Sequence, residues 1–386
     1  MSGLGPLLPA DEGFFHQIAD TFATVSQSDR SWTEKVCAMA CARDGSLQLA
    51  FGMGKYPNRG MLDAYAGASR GVEQWTVRAA RPLGEDPTGT AVGPIRYEVL
   101  EPLRRVRFSL GANDVVPLRF EWTFTGAVPA FLEDREVHRS QDGYRVEADI
   151  VRYHHIGTAS GWAELEGRRV ELEDASWVST RDHSWGVRYM VGAPLADVPG
   201  RPEVPGLASL VMWAPVLCQA PDNVPYGIHW FYQRHTLGAW QRVQVQGGVE
   251  HPDGTKERFV AAEPDLRFDA DNRRFEQGSI RFTTAAGAQR QLLLEAASDT
   301  GFHLGAGLYF GFEGRWHGQW RPRLELEGEH VADCSDPAQA RRLHQIRDCV
   351  VRVRDPAVGG VGVGNLQSIV TGPHPAMGLS EESSFV

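Results

Sequence analysis

From Ser31 onward the sequence is divided into short runs of apolar, aromatic and β-branched residues, separated by glycine, proline or asparagine. Such runs are typical of antiparallel strands joined by tight turns. In residues 118–124, leucine, phenylalanine, tryptophan and phenylalanine alternate with polar residues, which is the two-residue period of a half-buried strand. Helical periodicity is nearly absent over roughly a hundred residues. The chain is therefore predicted to be mostly β.

The predicted strands fill two halves of the chain. They cover 46–51, 74–79, 96–100, 106–110, 118–124, 144–156, 161–165 and 169–178, and then 208–213, 227–235, 240–245, 266–268, 279–284 and 291–296, with a last strand at 349–353 or 366–370. Turns are predicted at Glu166-Gly167 and at 251–254. Each half has enough strands to close an antiparallel β-barrel.

A few peripheral helices and one linker complete the predicted organisation. Apolar residues recur at helical spacing over 9–25, where Asp11 can cap a helix, and Asp336 with Pro337 predicts the start of a second helix over 336–348. Residues 192–206 are rich in proline and glycine. The predicted domains are an N-terminal barrel with its helix at 1–191, a linker at 192–206, and a C-terminal barrel with a late helix at 207–386.

Charge and cysteine usage limit the partners and the compartment. The net charge of −10 gives no basic surface for nucleic acid. No apolar stretch is long enough to span a bilayer, and the N-terminus lacks the basic region of a signal peptide. Five cysteines at irregular spacing indicate free thiols. A cytoplasmic protein is expected, and a homodimer remains open.

The segment 173–189 is the densest in chemically active side chains. It contains Asp182, His183 and Trp185 within one β-prone stretch without proline. Because successive side chains of a strand point to opposite faces, Asp182 and His183 enter one cavity only if the strand bulges or ends, which Gly186 would permit. A structural interpretation stands beside this one: a tryptophan on a strand is usually core, and Asp182 beside Arg181 can form a buried ion pair.

The histidines do not follow a known metal-binding pattern. His154 and His155 point to opposite faces of one strand, and His229 and His235 are roughly 20 Å apart along another. Neither HExxH nor a pair of CxxC motifs is present. One histidine from each of three strands could still converge, but the prediction is no metal and no other cofactor. Neither a Gly-x-Ser-x-Gly elbow nor a phosphate-binding glycine loop occurs.

The eleven tryptophans lie largely inside strand-like runs, which favours either a filled barrel or a barrel with an apolar pocket. Polar groups set into such a pocket would be His183 beside Trp185, and His229 beside Phe231. Aromatic faces can also stabilise a transient carbocation, and a buried carboxyl or imidazole can donate a proton.

The segment 180–186, Thr-Arg-Asp-His-Ser-Trp-Gly, resembles the Asp-[His/Arg]-x-Trp-Gly signature of the AttH-like and hydroxyneurosporene synthase (carotenoid hydratase) superfamily. The resemblance implies two lipocalin-like β-barrel halves, a hydrophobic small-molecule pocket and, in enzymatic members, chemistry without a cofactor. It is specific only around residues 156–188. Asp182, His183 and Trp185 are the residues that match the motif.

The function predicted from these observations is that of a hydratase, dehydratase, isomerase or cyclase acting on a hydrophobic, terpenoid-like or aromatic molecule. Asp182 or His183 would transfer the proton and the other would orient it. The predicted substrate-binding residues are Trp185, His229, Trp230 and Tyr232. A lipocalin-like carrier without chemistry is the alternative, and a metalloenzyme is the third possibility.

Overall fold

The computed structural model of the protein describes residues 7–14, 16, 19–84, 88–140, 143–198, 200 and 204–385. Strands make up 57% of the described residues and helices 5%, so the prediction of a mostly β fold is confirmed. The described strands form two sheets, of 14 and nine strands. In this part of the chain no helix has the length and apolarity that a membrane crossing requires.

The first half contributes thirteen of the described strands. They are β1 (Trp32–Ala42), β2 (Gln48–Tyr56), β3 (Met61–Arg70), β4 (Glu73–Pro82), β5 (Ala91–Val92), β6 (Ile95–Glu101), β7 (Arg105–Leu110), β8 (Leu118–Gly126), β9 (Phe131–Leu132), β10 (Glu136–Arg139), β11 (Val146–Leu165), β12 (Arg168–Leu172) and β13 (Trp177–Val187). Their main path runs β4-β3-β2-β1-β13-β11-β8-β7-β6-β5, and all of the pairs are antiparallel. The sheet is a half-barrel whose concave face holds an apolar core with Phe51, Trp75 and Trp122.

The second half contributes the remaining strands. They are β14 (Ala208–Gln219), β15 (Pro225–Leu237), β16 (Trp240–Glu250), β17 (Lys256–Phe268), β18 (Phe275–Thr284), β19 (Gln289–Ala296), β20 (Phe302–His303), β21 (Glu325–Val331), β22 (Arg347–Asp355) and β23 (Gly360–Thr371). Eight of them close a barrel in the order β19-β18-β17-β16-β15-β14-β23-β22, because β22 also pairs with β19. The two barrel-type halves agree with the predicted lipocalin-like architecture.

The two halves are joined by more than the predicted linker. β21 lies in the second half of the sequence but pairs with β4, at the edge of the first sheet. The 3-10 helix Leu304–Gly307 and the loop that follows it lead the chain there. Between the halves, apolar residues such as Ile156, Val178 and Leu217 pack together. The domain boundaries remain a prediction, and Pro199 and Pro202 of the linker lie outside the described residues.

The helices are shorter than predicted. A 3-10 helix, Pro9–Glu12, stands where a helix over 9–25 was expected, and turns follow in the described residues after it; Phe15 and Ile18 lie outside them. The carboxylate of Asp11 accepts hydrogen bonds from the backbone N–H groups of Leu8 and Phe22, which folds the segment back on itself. The late helix α1 spans Pro337–Arg342, with the predicted cap at Asp336, and it ends because the chain turns into β22.

Candidate functional site

The strand β13 carries the signature residues in a regular, unbulged register. Asp182 stands opposite Cys37 of β1 and His154 of β11, whereas His183 stands opposite Val36 and Tyr153. Asp182 and His183 therefore face opposite sides of the first sheet. A Cβ atom at Gly186 would lie 2.0 Å from the carbonyl oxygen of Asp149, so the close approach of β11 requires glycine there.

His183 faces the concave side of the half-barrel, where it borders a cavity of about 210 Å³, which we call the His183 cavity. Its lining residues are Glu34, Val36, Met53, Lys55, Leu62, Thr88, Gly89, Thr90, Tyr97 and His183. His183 Nε2 lies 2.9 Å from Glu34 Oε1, and Nδ1 lies 3.2 Å from the hydroxyl of Tyr153. Trp185 meets the imidazole edge-on on the same face, at 6.0 Å between ring centroids.

Asp182 faces the second half of the molecule. On that side of the sheet, the next row of side chains borders a cavity of about 120 Å³, the central cavity. Its lining residues are Thr33, Lys35, Tyr56, Ile150, Arg188, Tyr189, Met190, Val191, Tyr309, Phe310 and His317. The Ser184 hydroxyl, opposite Lys35 in the register, connects the two rows because it lies 3.3 Å from Asp182 Oδ2.

Lys35 is buried in the wall of the central cavity. Its Nζ lies 3.0 Å from His317 Nε2 and 3.6 Å from the centroid of the Tyr309 ring. Burial lowers the pKa of Lys35 to about 8, against the opposing effect of nearby acidic groups. Burial also lowers the pKa of His317 to about 4, assisted by the positive charge of Lys35. A lysine whose pKa approaches neutrality can both donate and accept a proton.

Asp182 keeps some solvent-exposed surface, but protein atoms surround its carboxyl group closely. This burial raises the pKa of Asp182, although the guanidinium groups of Arg152 and Arg188 oppose the shift. Burial likewise raises the pKa of the neighbouring Cys37 thiol, with Asp182 as the second cause. The same desolvation therefore favours the neutral forms of an acid and of an amine one row apart.

A loop from the second half covers the central cavity. The hydroxyl of Tyr309 lies 3.0 Å from Cys37 Sγ. Asp63 accepts a hydrogen bond from the backbone N–H of Gly318 at 2.7 Å and another from the hydroxyl of Tyr56 at 3.0 Å. These contacts hold residues 309–318 against the first sheet.

Successive side chains of β15 point to opposite faces, and this separates the other predicted site residues into two groups. Trp230 and Tyr232 point into the second barrel and belong to its apolar core. His229 and Phe231 point outward, and His229 stacks on His154 at 3.6 Å between ring centroids. The structure thus brings His229 to the Asp182 side of the sheet and leaves Trp230 and Tyr232 in the barrel. Their predicted binding roles stay predictions.

Several residues near the site were not identified from the sequence. Lys35 and Arg152 lie on β1 and β11, with their side chains on the Asp182 face of the sheet. A charged residue within a largely apolar strand was the feature of the sequence that could have identified them. Glu133 and Tyr309 lie on connecting segments, where no periodicity marks them. Among the described residues, Glu133, His154 and His229 form the group whose ligand atoms are close enough for one metal ion, all within 4.8 Å of one another.

A more open cavity of about 900 Å³ lies in the second half. It is bordered by Leu266, Leu294, Val353 and Met377 together with exposed charged side chains such as Arg267. None of the predicted site residues borders it, so it has no part in the site described above.

The chain is similar to a solved structure of a candidate AttH protein from Nitrosomonas europaea. The match covers 95% of this chain and 98% of that one, with 13% sequence identity and a TM-score of 0.51. The resemblance to the AttH and carotenoid hydratase proteins is therefore confirmed for the fold. At this identity the likeness concerns the fold and not the activity.

Two further solved structures are similar over a comparable length. CghA with Sch210972 covers 89% of this chain and 90% of its own, at 13% identity and a TM-score of 0.48. Kievitone hydratase from Nectria haematococca covers 88% and 89%, at 9% identity and a TM-score of 0.41. No curated protein matches the chain. A family model matches residues 7–380, and the chain therefore belongs to this family of unknown function, DUF8625.

Proposed function

We propose that this protein is an acid/base enzyme, a hydratase, dehydratase, isomerase or cyclase, that acts without a cofactor on a hydrophobic terpenoid-like or aromatic molecule. The reaction would take place on the Asp182 face of the first sheet. The observation that carries the proposal is Lys35, buried in the wall of the central cavity, with Asp182 one row of side chains away, the pKa of each being shifted toward its neutral form. Perturbed groups of this kind gather at active sites.

The chemistry follows from the two groups and from the aromatic cover. In the hydration direction, the neutral carboxyl of Asp182 protonates an alkene carbon, water adds to the resulting cation, and Lys35 accepts the proton that the water releases. The ring of Tyr309, whose centroid lies 3.6 Å from Lys35 Nζ, would stabilise the positive charge on the substrate. Dehydration is the reverse sequence, and loss of a different proton from the cation gives a double-bond isomer. Ring closure requires a second double bond of the same molecule to attack the cation, after which the new cation loses a proton.

Apolar side chains support a hydrophobic substrate. Ile150, Met190, Val191 and Phe310 line the central cavity beside the charged groups. Substrates of this class need a site of roughly 300 Å³ or more, which exceeds the cavity of about 120 Å³. We therefore expect residues 309–318 to move away from the sheet when substrate binds.

A carrier without chemistry is the second candidate, and the His183 cavity is the observation that favours it. Val36, Met53 and Leu62 give this cavity apolar walls, and His183 with Glu34 provides a polar end. A small hydrophobic ligand could be held there without contact with Lys35 or Asp182. In that case the signature residue His183 would fix the orientation of the ligand.

Variants on the two faces distinguish these proposals. The protein would be incubated in ²H₂O with a panel of monoterpene and phenylpropanoid alkenes and alcohols, and deuterium incorporation would be followed by mass spectrometry. We expect Asp182→Asn and Lys35→Met to lose about 100-fold or more of the rate, as is usual for general acid–base groups. His183→Ala, and Lys55→Met as the matched lysine control, should retain it.

The opposite outcomes are equally clear. Full turnover by Asp182→Asn and Lys35→Met would refute the proposed site. Quenching of tryptophan fluorescence by the same panel, lost in His183→Ala and accompanied by no product in any variant, would establish the carrier.

A further inference from the structure

Two histidines and a glutamate meet at the boundary between the halves, away from the central cavity. Glu133 directly follows β9, His154 lies on β11, and His229 lies on β15 of the second barrel. Glu133 Oε1 is 3.1 Å from His154 Nδ1 and 3.4 Å from His229 Nε2. Two ligand atoms bound to one Zn²⁺ at about 2.0–2.1 Å with a tetrahedral angle are roughly 3.3–3.4 Å apart. These two distances fit a single ion, and the ligand atoms of all three residues lie within 4.8 Å of one another. The imidazoles of His154 and His229 stack nearly parallel at 3.6 Å between ring centroids, so one ring must turn before both histidines can bind the same ion.

His229 gives the independent observation. Its side chain is fully buried, and neither ring nitrogen has a hydrogen-bond partner. Buried polar atoms without a partner are rare in folded proteins, and each one requires an explanation. The Nε2 atom lies 3.4 Å from Glu133 Oε1 without a hydrogen bond between them, and an ion bound at that place would satisfy it.

Groups around the three residues orient them as ligands. His154 Nε2 lies 2.8 Å from Glu250 Oε1, which also contacts Lys256 Nζ at 2.8 Å. When His154 Nε2 donates its hydrogen to Glu250, the lone pair of Nδ1 is free for a metal, as in the carboxylate–histidine pairs behind known metal sites. The indole N–H of Trp213 donates to Glu133 Oε1 at 2.9 Å and fixes that carboxylate.

A network without metal is the competing explanation. A doubly protonated His154 could donate to Glu133 and to Glu250 at the same time. That arrangement accounts for the two carboxylates, and Arg152 near Glu133 with Lys256 near Glu250 would balance the remaining charge. It leaves both nitrogens of His229 without a partner.

We propose that Glu133, His154 and His229 bind one divalent transition-metal ion of the Zn²⁺ type, and that this ion fastens the second barrel to the first sheet. Two ligands come from the first half and one from the second. None of the cavities described above is bordered by any of the three residues. The ion therefore has a structural role, and the acid/base chemistry proposed for Lys35 and Asp182 does not depend on it.

The test measures metal directly, without any activity assay. The full-length chain would be purified without a polyhistidine tag and without chelators, and its metal content determined by inductively coupled plasma mass spectrometry. We expect about one ion per chain, and at least about tenfold less in His229→Gln. The matched control is His303→Gln, which changes another fully buried histidine with an unpartnered Nε2 and should retain the metal.

A second experiment keeps the test decisive if the purified protein holds little metal or if a variant folds poorly. Chelator-treated wild-type protein should bind Co²⁺ with the visible absorption of a tetrahedral site, and added Zn²⁺ should raise its melting temperature, whereas His229→Gln should show neither effect. The proposal is overturned if wild-type protein gives no Co²⁺ spectrum and no shift with Zn²⁺. It is also overturned if His229→Gln keeps its metal, or if His303→Gln loses as much.

Discussion

Replacing Lys35 by methionine should make the stability of the protein less dependent on pH in the alkaline range. Methionine keeps most of the length of the lysine side chain but carries no charge. In the folded protein Lys35 is buried beside the Tyr309 ring and His317. The charged and titratable groups around it are Cys37 on its own strand β1, Asp182 on β13, Asp63 on β3 and Arg188 just after β13. The variant removes the charge without opening a large cavity.

The magnitude follows from the pKa of the buried amine. Burial lowers the pKa of Lys35 from 10.5 to about 8, which corresponds to about 3.4 kcal/mol at about 1.4 kcal/mol per pH unit. The unfolded chain binds the proton more readily than the folded chain between these two values. Stability is therefore lost as the pH falls from 10.5 to about 8, and the full penalty is present below that. Between pH 7 and pH 10 the change amounts to about 2.5 kcal/mol.

The assay is urea unfolding of the wild type, Lys35→Met and Lys55→Met at pH 7 and pH 10. The wild type should gain stability relative to Lys35→Met by about 2.5 kcal/mol between the two pH values. Other titrating groups largely cancel in this difference. Lys55 borders the His183 cavity and serves as the matched control. A difference between wild type and Lys35→Met that stays constant, within about 0.5 kcal/mol, would refute the burial of the Lys35 amine.

Two further predictions concern the frame around the site. Gly186→Ala should destabilise the protein by about 3 kcal/mol or more, because its Cβ would lie 2.0 Å from the carbonyl oxygen of Asp149. The control Gly167→Ala, whose Cβ would have no atom within 4 Å, should cost only about 1 kcal/mol. Equal losses of stability in urea unfolding would contradict the close approach of β11 at Gly186. Burial raises the pKa of Asp348 to about 7, so the wild type should lose about 4 kcal/mol as the pH rises from 4 to above 7. Asp348→Asn should abolish most of that loss, which calorimetry at the two pH values would measure.

The period-two pattern predicted most strands because it depends only on which face of a strand is buried. The helical spacing over residues 9–25 was misleading, because Asp11 accepts hydrogen bonds from two backbone N–H groups and only a 3-10 helix forms there. The period-two pattern divided residues 144–165 into two strands, although β11 is continuous. A long strand that pairs with several neighbours changes its buried face along its length, and its local periodicity is correspondingly weak.

The candidate site was predictable only within single strands. The alternation that separates Asp182 from His183, and His229 from Trp230, is a local property and was available from the sequence. The meeting of His154 with His229 was not, because it depends on how the second barrel packs against β11. Glu133 and Tyr309 come from connecting segments, whose positions are fixed by tertiary contacts such as the hydrogen bond from Trp213 to Glu133.

The arrangement of the halves explains why one strand can carry two kinds of site. β13 lies in the middle of the first sheet, so its concave face looks into the half-barrel and its other face is covered by the second half. The second half buries the side chains of this other face, because Val178 packs with Leu217 and residues 309–318 cover the central cavity. Lys35 thus owes part of its burial, which lowers its pKa, to a segment more than a hundred residues away in the sequence, because Tyr309 and His317 lie beside its amine. Movement of that segment would expose Lys35 to water and return its pKa toward the ordinary range, so that opening of the central cavity and proton transfer are physically coupled.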